Sequence, residues 1–401
     1  MKESTQKSFY YYFKRRFLAN KPAIFGLIFI FLCLLVSCLG YSIMPDGTTN
    51  ANNSLPEIKK KGVGYVAQII KIKKNVLVEK STFLKTIFNG SESEYIEKPF
   101  DSLQFDNKKG LVKIFLAEGR GVLTESVSYA DILFKIKGEP TVFNGIIHFI
   151  DVDGKTKNYR CQDLREKIQN ENIFQRKYIL GTDSAGRDLL SRLLFGTRVS
   201  LLIGLVSVLV SLGLGIFLGG IAGYFGGWVD NLVMWFMTVI WSVPRIMLVI
   251  VIGMALQSKG LWVAFVAVGL TMWTEVARVV RGRIMEVREK QYITAAKVLG
   301  LGNLRIIFGH ILPNIMGAVV VIASANFADA ILIEAGLSFL GLGVPPPVPS
   351  WGQMVNEGFN LITNLNCWHL IVFPSSAICL LVLAFNLFGN GLRDALDPKN
   401  Q

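Results

Sequence analysis

The sequence predicts an all-α polytopic membrane protein with one large β-rich insertion. Three observations predict it. First, 51% of the 401 residues are hydrophobic and only 18% are charged, against about a quarter in soluble domains. Second, whole segments lack charge: residues 23–44 and 199–229 have none, and 231–256 have only Arg245. Third, residues 45–178 are different in kind. They are polar, with short apolar runs in period-two alternation between glycines, a strand signature.

The elements follow in order. Residues 1–22 form a basic tail with aromatics, "FYYYFKRRF", suited to the membrane surface. A bilayer core needs about 20 apolar residues per helix. Segments near 23–44, 199–222, 231–256, 260–277, 314–337 and 369–391 qualify. The first is too long for a signal peptide and lacks a small-x-small cleavage site, so it is expected as an uncleaved span. In the 45–178 domain, "YVAQIIKIKKNVLVEK", "LVKIFLAEG" and "GIIHFIDVDG" are expected strands, and "CQDLREKIQNEN" a short helix. Residues 179–398 hold the other five spans. Leu189, Leu190, Leu193 and Leu194 recur at helical spacing, which predicts an outer interfacial helix over 184–195 carrying Arg187, Asp188 and Arg192 on its other faces. Pro244 should kink the third span, and Arg245 beside it should face the protein interior or a wet cavity.

The net charge of +13 does not point to nucleic acid, because of where it lies. Residues 1–22 hold six basic and one acidic residue, and 278–310 hold seven and two. Both flank spans, so they report orientation. They place the N-terminus, the 278–310 loop and the C-terminal segment with Arg393 and Lys399 in the cytoplasm, and 45–178 outside. The five cysteines and three histidines form no metal or redox motif. Cys161 and Cys367 would both be outside, where a disulfide is one option. Asp329 and Glu334 lie in an expected span, where carboxylates mark a passage or a polar helix contact. The plainer reading, solvation near the interface, is open for both, and more so for Glu334 beside Gly336.

Residues 291–314, "QYITAAKVLGLGNLRIIFGHILPN", break the pattern. They read as helix, glycine turn, helix, then membrane. Gly300 and Gly302 suit a left-handed helix end, Asn303 is the expected N-cap, and Pro313 fits the start of the next span. Ala295, Ala296, Val298 and Leu299 form a compact face suited to the groove of a cytoplasmic partner. The plainer alternative is a helix lying on lipid.

This stretch resembles the cytoplasmic "EAA" loop of ABC importer permeases: E-A-A, three residues, G, nine residues, I-x-L-P. Ala295, Ala296, Gly300, Leu312 and Pro313 match, while Thr294 replaces the glutamate and His310 the isoleucine. "LGTDSAGRDLLSRLLFGTRVSL", "GYFGGWVD" and "EAGLSFLGLGVPPPVPSWGQM" resemble dipeptide and oligopeptide permeases, specifically the C-type partner of the heterodimer. The likeness is loose over 1–44 and close over 178–398. Trp235 and Thr238 stand where that family often carries an arginine and an aspartate, and 45–178 far exceeds its usual connection.

The resemblance implies a type I importer core in a bacterial inner membrane. It also implies a B-type permease partner, two cytoplasmic ATPases that use ATP and Mg, and an external substrate-binding protein. The loop 278–313 would couple to an ATPase through Thr294, Ala295, Ala296, Gly300, Gly302, Leu312 and Pro313. No cofactor is expected on the chain itself, which has no G-x-x-x-x-G-K-[ST] phosphate loop and no nucleophile–base constellation among the spans. An intramembrane hydrolase built on Asp329 and Glu334 is disfavoured, since five residues turn a helix by about 500°. A channel or sensor leaves the loop unexplained. Nickel chelates or other small peptide-like compounds are the alternative cargo.

Overall fold

The structure, a computed structural model, describes residues 9–76, 86–87, 89–118, 121–257, 260–363 and 365–396. Lys399, the first eight residues of the basic tail and residues 77–80 of the first alternating run lie outside the described residues. The chain divides into two compact units: a helical one of residues 1–38, 196–356 and 372–401, and a β-rich one of 39–195 and 357–371. The β-rich unit is thus wider than the 45–178 expected from composition, because it takes in 39–44, 179–195 and the distant segment 357–371.

The helical unit begins with α1 (Phe9–Ala19) and α2 (Lys21–Leu39). Asn20 separates them and acts as N-cap of α2, its Oδ1 accepting from Ala23 N at 3.1 Å. Next come α5 (Leu189–Phe225), α6 (Gly227–Trp241), α7 (Arg245–Ala255) and α8 (Leu261–Arg288). After them follow α9 (Gln291–Val298), α10 (Asn303–Ile306), α11 (Leu312–Phe339), α12 (Trp351–Phe359) and α13 (His369–Leu396). Among the described residues, five helices are long and apolar enough to cross a membrane, or six if the bent pair α6–α7 counts as one span.

Two span expectations need correction. No separate interfacial helix covers 184–195. Arg187 and Asp188 precede α5, and Arg192 lies in its first turns, continuous with the span. All three are buried, and Arg192 is 0% exposed, so their charges meet protein partners instead of headgroups. The third span is not one kinked helix but two short ones that meet at 91°. The physical reason is Pro244, which stands extended (φ −54°, ψ 129°) as the cap of α7; it has no N–H to continue α6.

Close helix contact in this unit uses small residues. On α5, Gly215, Gly219 and Gly223 recur every fourth position against α8. A Cβ on Gly219 would lie 2.4 Å from the Ala277 carbonyl oxygen. Such spacing lets two backbones approach inside a bilayer. On α2, a Cβ on Gly26 would lie 2.4 Å from the Ala384 oxygen of α13.

Among the described residues, the β-rich unit holds three antiparallel three-stranded sheets, ordered β2–β1–β9, β3–β4–β5 and β6–β7–β8. The strands are β1 (Tyr65–Lys73), β2 (Tyr95–Phe100), β3 (Ser102–Asp106), β4 (Leu111–Glu118), β5 (Gly121–Ser128), β6 (Thr141–Phe143), β7 (Ile146–Ile150), β8 (Thr156–Arg160) and β9 (Ile173–Tyr178). Each of the three alternating runs holds a strand, the first only as far as Lys73, and the expected helix is α4 (Cys161–Lys167), preceded by α3 (Tyr129–Leu133). β1 shows why alternation matters. Its Tyr65, Ala67 and Ile69 join a cluster with Leu55, Ile58 and Tyr178. Its Ile70 and Ile72 join the larger core with Val112, Tyr129, Ile147 and Ile168. One strand therefore feeds two cores from its two faces. Burial pushes the Tyr129 hydroxyl up to about 12, and that hydroxyl donates to Asn107 Oδ1 at 2.9 Å. Cys161 and Cys367 are both buried free thiols.

Candidate functional site

Three places gather all the predicted residues but Glu334: the 291–313 loop, the helix break at Pro244, and a buried ion cluster in the β-rich unit.

The loop is built around Gly300, whose φ is +77°. Leu301 N donates to Ala296 O at 3.2 Å and Gly300 N to Lys297 O at 3.0 Å. This is the paired pattern that ends a helix on a left-handed glycine. Gly302 does not share that conformation. It is extended (φ −64°, ψ 147°) and occupies the cap position expected for Asn303. Asn303 is instead the first residue of α10, and its Oδ1 accepts from the Tyr224 hydroxyl at 2.8 Å. The expected single apolar face also divides. Ala296 and Ile293 are buried with Ile306, Ile311 and Val280. Thr294 and Ala295 are exposed, as are Val298 (83%) and Leu299 (79%). The helix after Gly302 runs on into α11 through a wide turn at Ile307–Ile311. Pro313, which cannot donate to Gly309, lies just beyond that turn, with Leu312 partly buried beside it.

Residues that sequence reasoning missed hold this loop. Tyr224 bonds Asn303 and lies under the Lys297 ammonium. Arg288 Nη1 donates to the Tyr224 carbonyl at 3.1 Å, capping the C-terminus of α5. Arg281 pairs with Asp230 through two hydrogen bonds. The signal available was "GYFGGWVD", whose tyrosine and aspartate flank the start of α6.

At the helix break, Arg245 Nη2 donates to Glu275 of α8 and Nη1 to Asp329 Oδ2 of α11 at 3.5 Å. One guanidinium thus joins three helices. Asp329 is 47% exposed at its side chain, so it is both a helix contact and open to its surroundings. Glu275 was not singled out from the sequence. The clue was that Arg245 at membrane depth requires a counter-ion. Arg245 and Glu275 line a cavity of about 300 Å³ with Trp241, Pro244, Leu248 and Thr271. Glu334 is elsewhere and is not solvated. It is 1% exposed and accepts from Ser338 Oγ at 2.7 Å, with Ser350 Oγ donating to Ser338 at 3.2 Å. It is a buried polar contact at the end of α11.

In the β-rich unit, Arg187 Nε donates to Asp183 Oδ2 at 2.6 Å and Nη2 to Glu357 at 3.2 Å. Arg192 lies 3.2 Å from Asp183 and 3.8 Å from Glu357. Asp188 accepts from the Ser191 amide and hydroxyl, and Ser191 Oγ accepts from Asp46 N. Burial raises the Asp188 pKa, and the Ser191 hydrogen bonds oppose the rise. No group of three or more His, Cys, Asp or Glu side chains suited to a metal ion occurs among the described residues.

The comparisons bear on this arrangement. Residues 215–401 match the family model "binding-protein-dependent transport system inner membrane component". The oligopeptide transport system permease protein OppC of Bacillus subtilis is 40% identical over 219 residues, covering 55% of this chain and 71% of that protein. The chain belongs to the permease components of binding-protein-dependent ABC importers. The dipeptide permease DppC of B. subtilis is 41% identical over 237 residues, 59% of this chain and 73% of its own length. The glutathione permease GsiD of Pectobacterium atrosepticum is 44% identical over 220 residues, with shares of 55% and 72%. The inward-facing MetNI methionine transporter covers 52% of this chain and 98% of its own, at 18% identity and a TM-score of 0.44. As a permease of this family, the chain is a transport component of an inner membrane and not a catalyst. Among the described residues, all the strands precede residue 215, outside the matched family model.

Proposed function

We propose that this permease forms half of the passage of a peptide-importing ABC transporter. It would pair with a B-type permease, two cytoplasmic ATPases that use ATP and Mg, and an external substrate-binding protein. In this reading both termini and the 278–313 loop are cytoplasmic, and the 45–178 domain is external. Thr294, Ala295, Val298 and Leu299 contact the ATPase, while Ala296, Gly300, Gly302, Leu312 and Pro313 shape the loop that presents them. Arg245 and Asp329 serve the passage.

The observation that carries the reading is the loop itself. A short helix ends on left-handed Gly300 with Val298 and Leu299 standing out from it, anchored at Ile293 and Ala296 to the spans α8 and α11. Exposed apolar knobs on a braced lever suit a groove in a partner that moves. Peptides are the favoured cargo because OppC and DppC are named as oligopeptide and dipeptide permeases.

The test combines topology with transport. In a cysteine-free background, cysteine at 60 or 355 should react with impermeant thiol reagents from outside, and cysteine at 303 only after permeabilisation. Co-expressed with its ATPase and binding-protein partners, the permease should support ATP-dependent peptide uptake. External labelling at 303 would refute the orientation, and ATP-independent uptake would refute the mechanism.

A further inference from the structure

Arg245 is committed twice, to Glu275 and to Asp329. A second arginine beside the same cavity is not. The Arg278 guanidinium carbon lies 3.1 Å from the centroid of the Trp241 ring, and Trp241 lines the cavity. The indole is held in turn, its N–H donating to Thr274 Oγ1 at 3.0 Å. Among the described residues no carboxylate forms an ion pair with Arg278, and its side chain is exposed. Stacking uses the face of a guanidinium and leaves its N–H edge free. On α8, Thr271, Glu275 and Arg278 follow one another at i, i+4 and i+7, so they share a stripe. Two of them already line the cavity. The stripe is graded along α8, with Thr271 buried, Glu275 half-buried and Arg278 exposed, so it runs outward from the cavity wall.

A planar cation with an unspent edge, fixed on an aromatic ring beside a small hollow with one apolar wall, has the chemistry of a carboxylate receptor. We infer that Arg278 on Trp241, at the cytoplasmic end of the passage, receives the terminal carboxylate of a peptide in transit, and that the adjoining wall at Pro244 and Leu248 takes its last side chain. The inference rests on the peptide-import reading above. The preset ring geometry lowers the ordering cost of binding. Glu275, already engaged by Arg245, discourages a carboxylate from sliding further along the stripe. A lipid phosphate is the other anion with the chemistry to fit this edge, and the experiment must separate the two.

The assembled transporter, with its partner permease, ATPases and binding protein, is reconstituted in phosphatidylcholine vesicles with and without phosphatidylglycerol. ATP-driven uptake is measured for a mixture of short alanine oligopeptides and for the same peptides as C-terminal amides. The wild type should prefer the free acids by about tenfold, the scale of one charge-assisted contact. Arg278→Gln should bring the acid-to-amide ratio close to one in both lipids. Arg278→Lys, which keeps the charge but loses the fork, should give an intermediate ratio and carries the test if the glutamine variant fails to assemble. A ratio unchanged in both variants overturns the subsite, as does an effect confined to vesicles with phosphatidylglycerol. Uptake without any preference in the wild type overturns the subsite alone. No uptake of either peptide form overturns the peptide reading and the subsite together.

Discussion

Among the described residues, arginine is shared between two carboxylates in two clusters, and they are built to opposite ends. In the β-rich unit, Arg187 and Arg192 share Asp183 and Glu357, and Arg192 has no exposed surface. In the helical unit, Arg245 shares Glu275 and Asp329, and all three side chains are about a quarter to a half exposed. The residue types are the same, but the surroundings decide their use. A closed cluster has a large desolvation cost that only complete pairing offsets, so removing one member leaves a buried charge. An open cluster costs little to disturb and can exchange partners when its helices move. The first is a fixture of the fold. The second suits a passage.

That contrast can be broken most sharply at Arg192. Arg192→Met should destabilise the protein by about 3–5 kcal/mol, read as a lowered midpoint of unfolding in detergent. Arg245→Met should cost about 1 kcal/mol or less yet reduce uptake strongly. Equal losses of stability in the two variants would erase the distinction. The loop extends the comparison to a backbone effect. No atom lies within 4 Å of a Cβ added to Gly300. Gly300→Val therefore bears only the left-handed strain, about 1–2 kcal/mol, worsened by β-branching. It should leave the protein in the membrane and abolish uptake, with ATP hydrolysis no longer responding to the binding protein. Full uptake would show that the turn is not needed.

Asp329 gives a finer test. Asp329→Leu should lower uptake or assembly, Asp329→Asn should do so less, and neither should shift the unfolding midpoint by more than about 1 kcal/mol. Wild-type behaviour of both would mean that the carboxylate is merely solvated. The smallest effect is expected at the surface of the β-rich unit. Lys98 pairs with Glu125, whose side chain is 54% exposed. Glu125→Ala should change stability by less than about 0.5 kcal/mol, and a larger loss would mean that exposure is a poor guide here.

Much of this was legible in the chain. Charge-free runs marked the spans, and Pro244 marked the break, because a missing N–H ends a helix wherever it falls. Gly300 was legible for the same local reason, since only glycine adopts φ +77° at no steric cost. Alternation marked β1, β4 and β7. Less legible were the partners. Glu275 and Tyr224 are unremarked residues until Arg245 and Asn303 are brought to them across 30 and 79 positions. The leucine spacing over 189–194 was real, but it belonged to the first turns of a long span, because helical periodicity carries no information about where a helix begins or what covers it.

The sequence by itself determined the solvent of each segment. Apolar composition, glycine and proline act locally, through hydrophobic transfer and backbone sterics, and they settled which residues span, turn and pair as strands. Only the tertiary structure decided which charges are closed in and which stay open. Whether Arg192 is a buried fixture and Arg245 a half-exposed bridge depends on side chains far away in the chain. Electrostatic worth is set by the distance to a counter-ion and by the water excluded around it, and neither quantity is written in residue order.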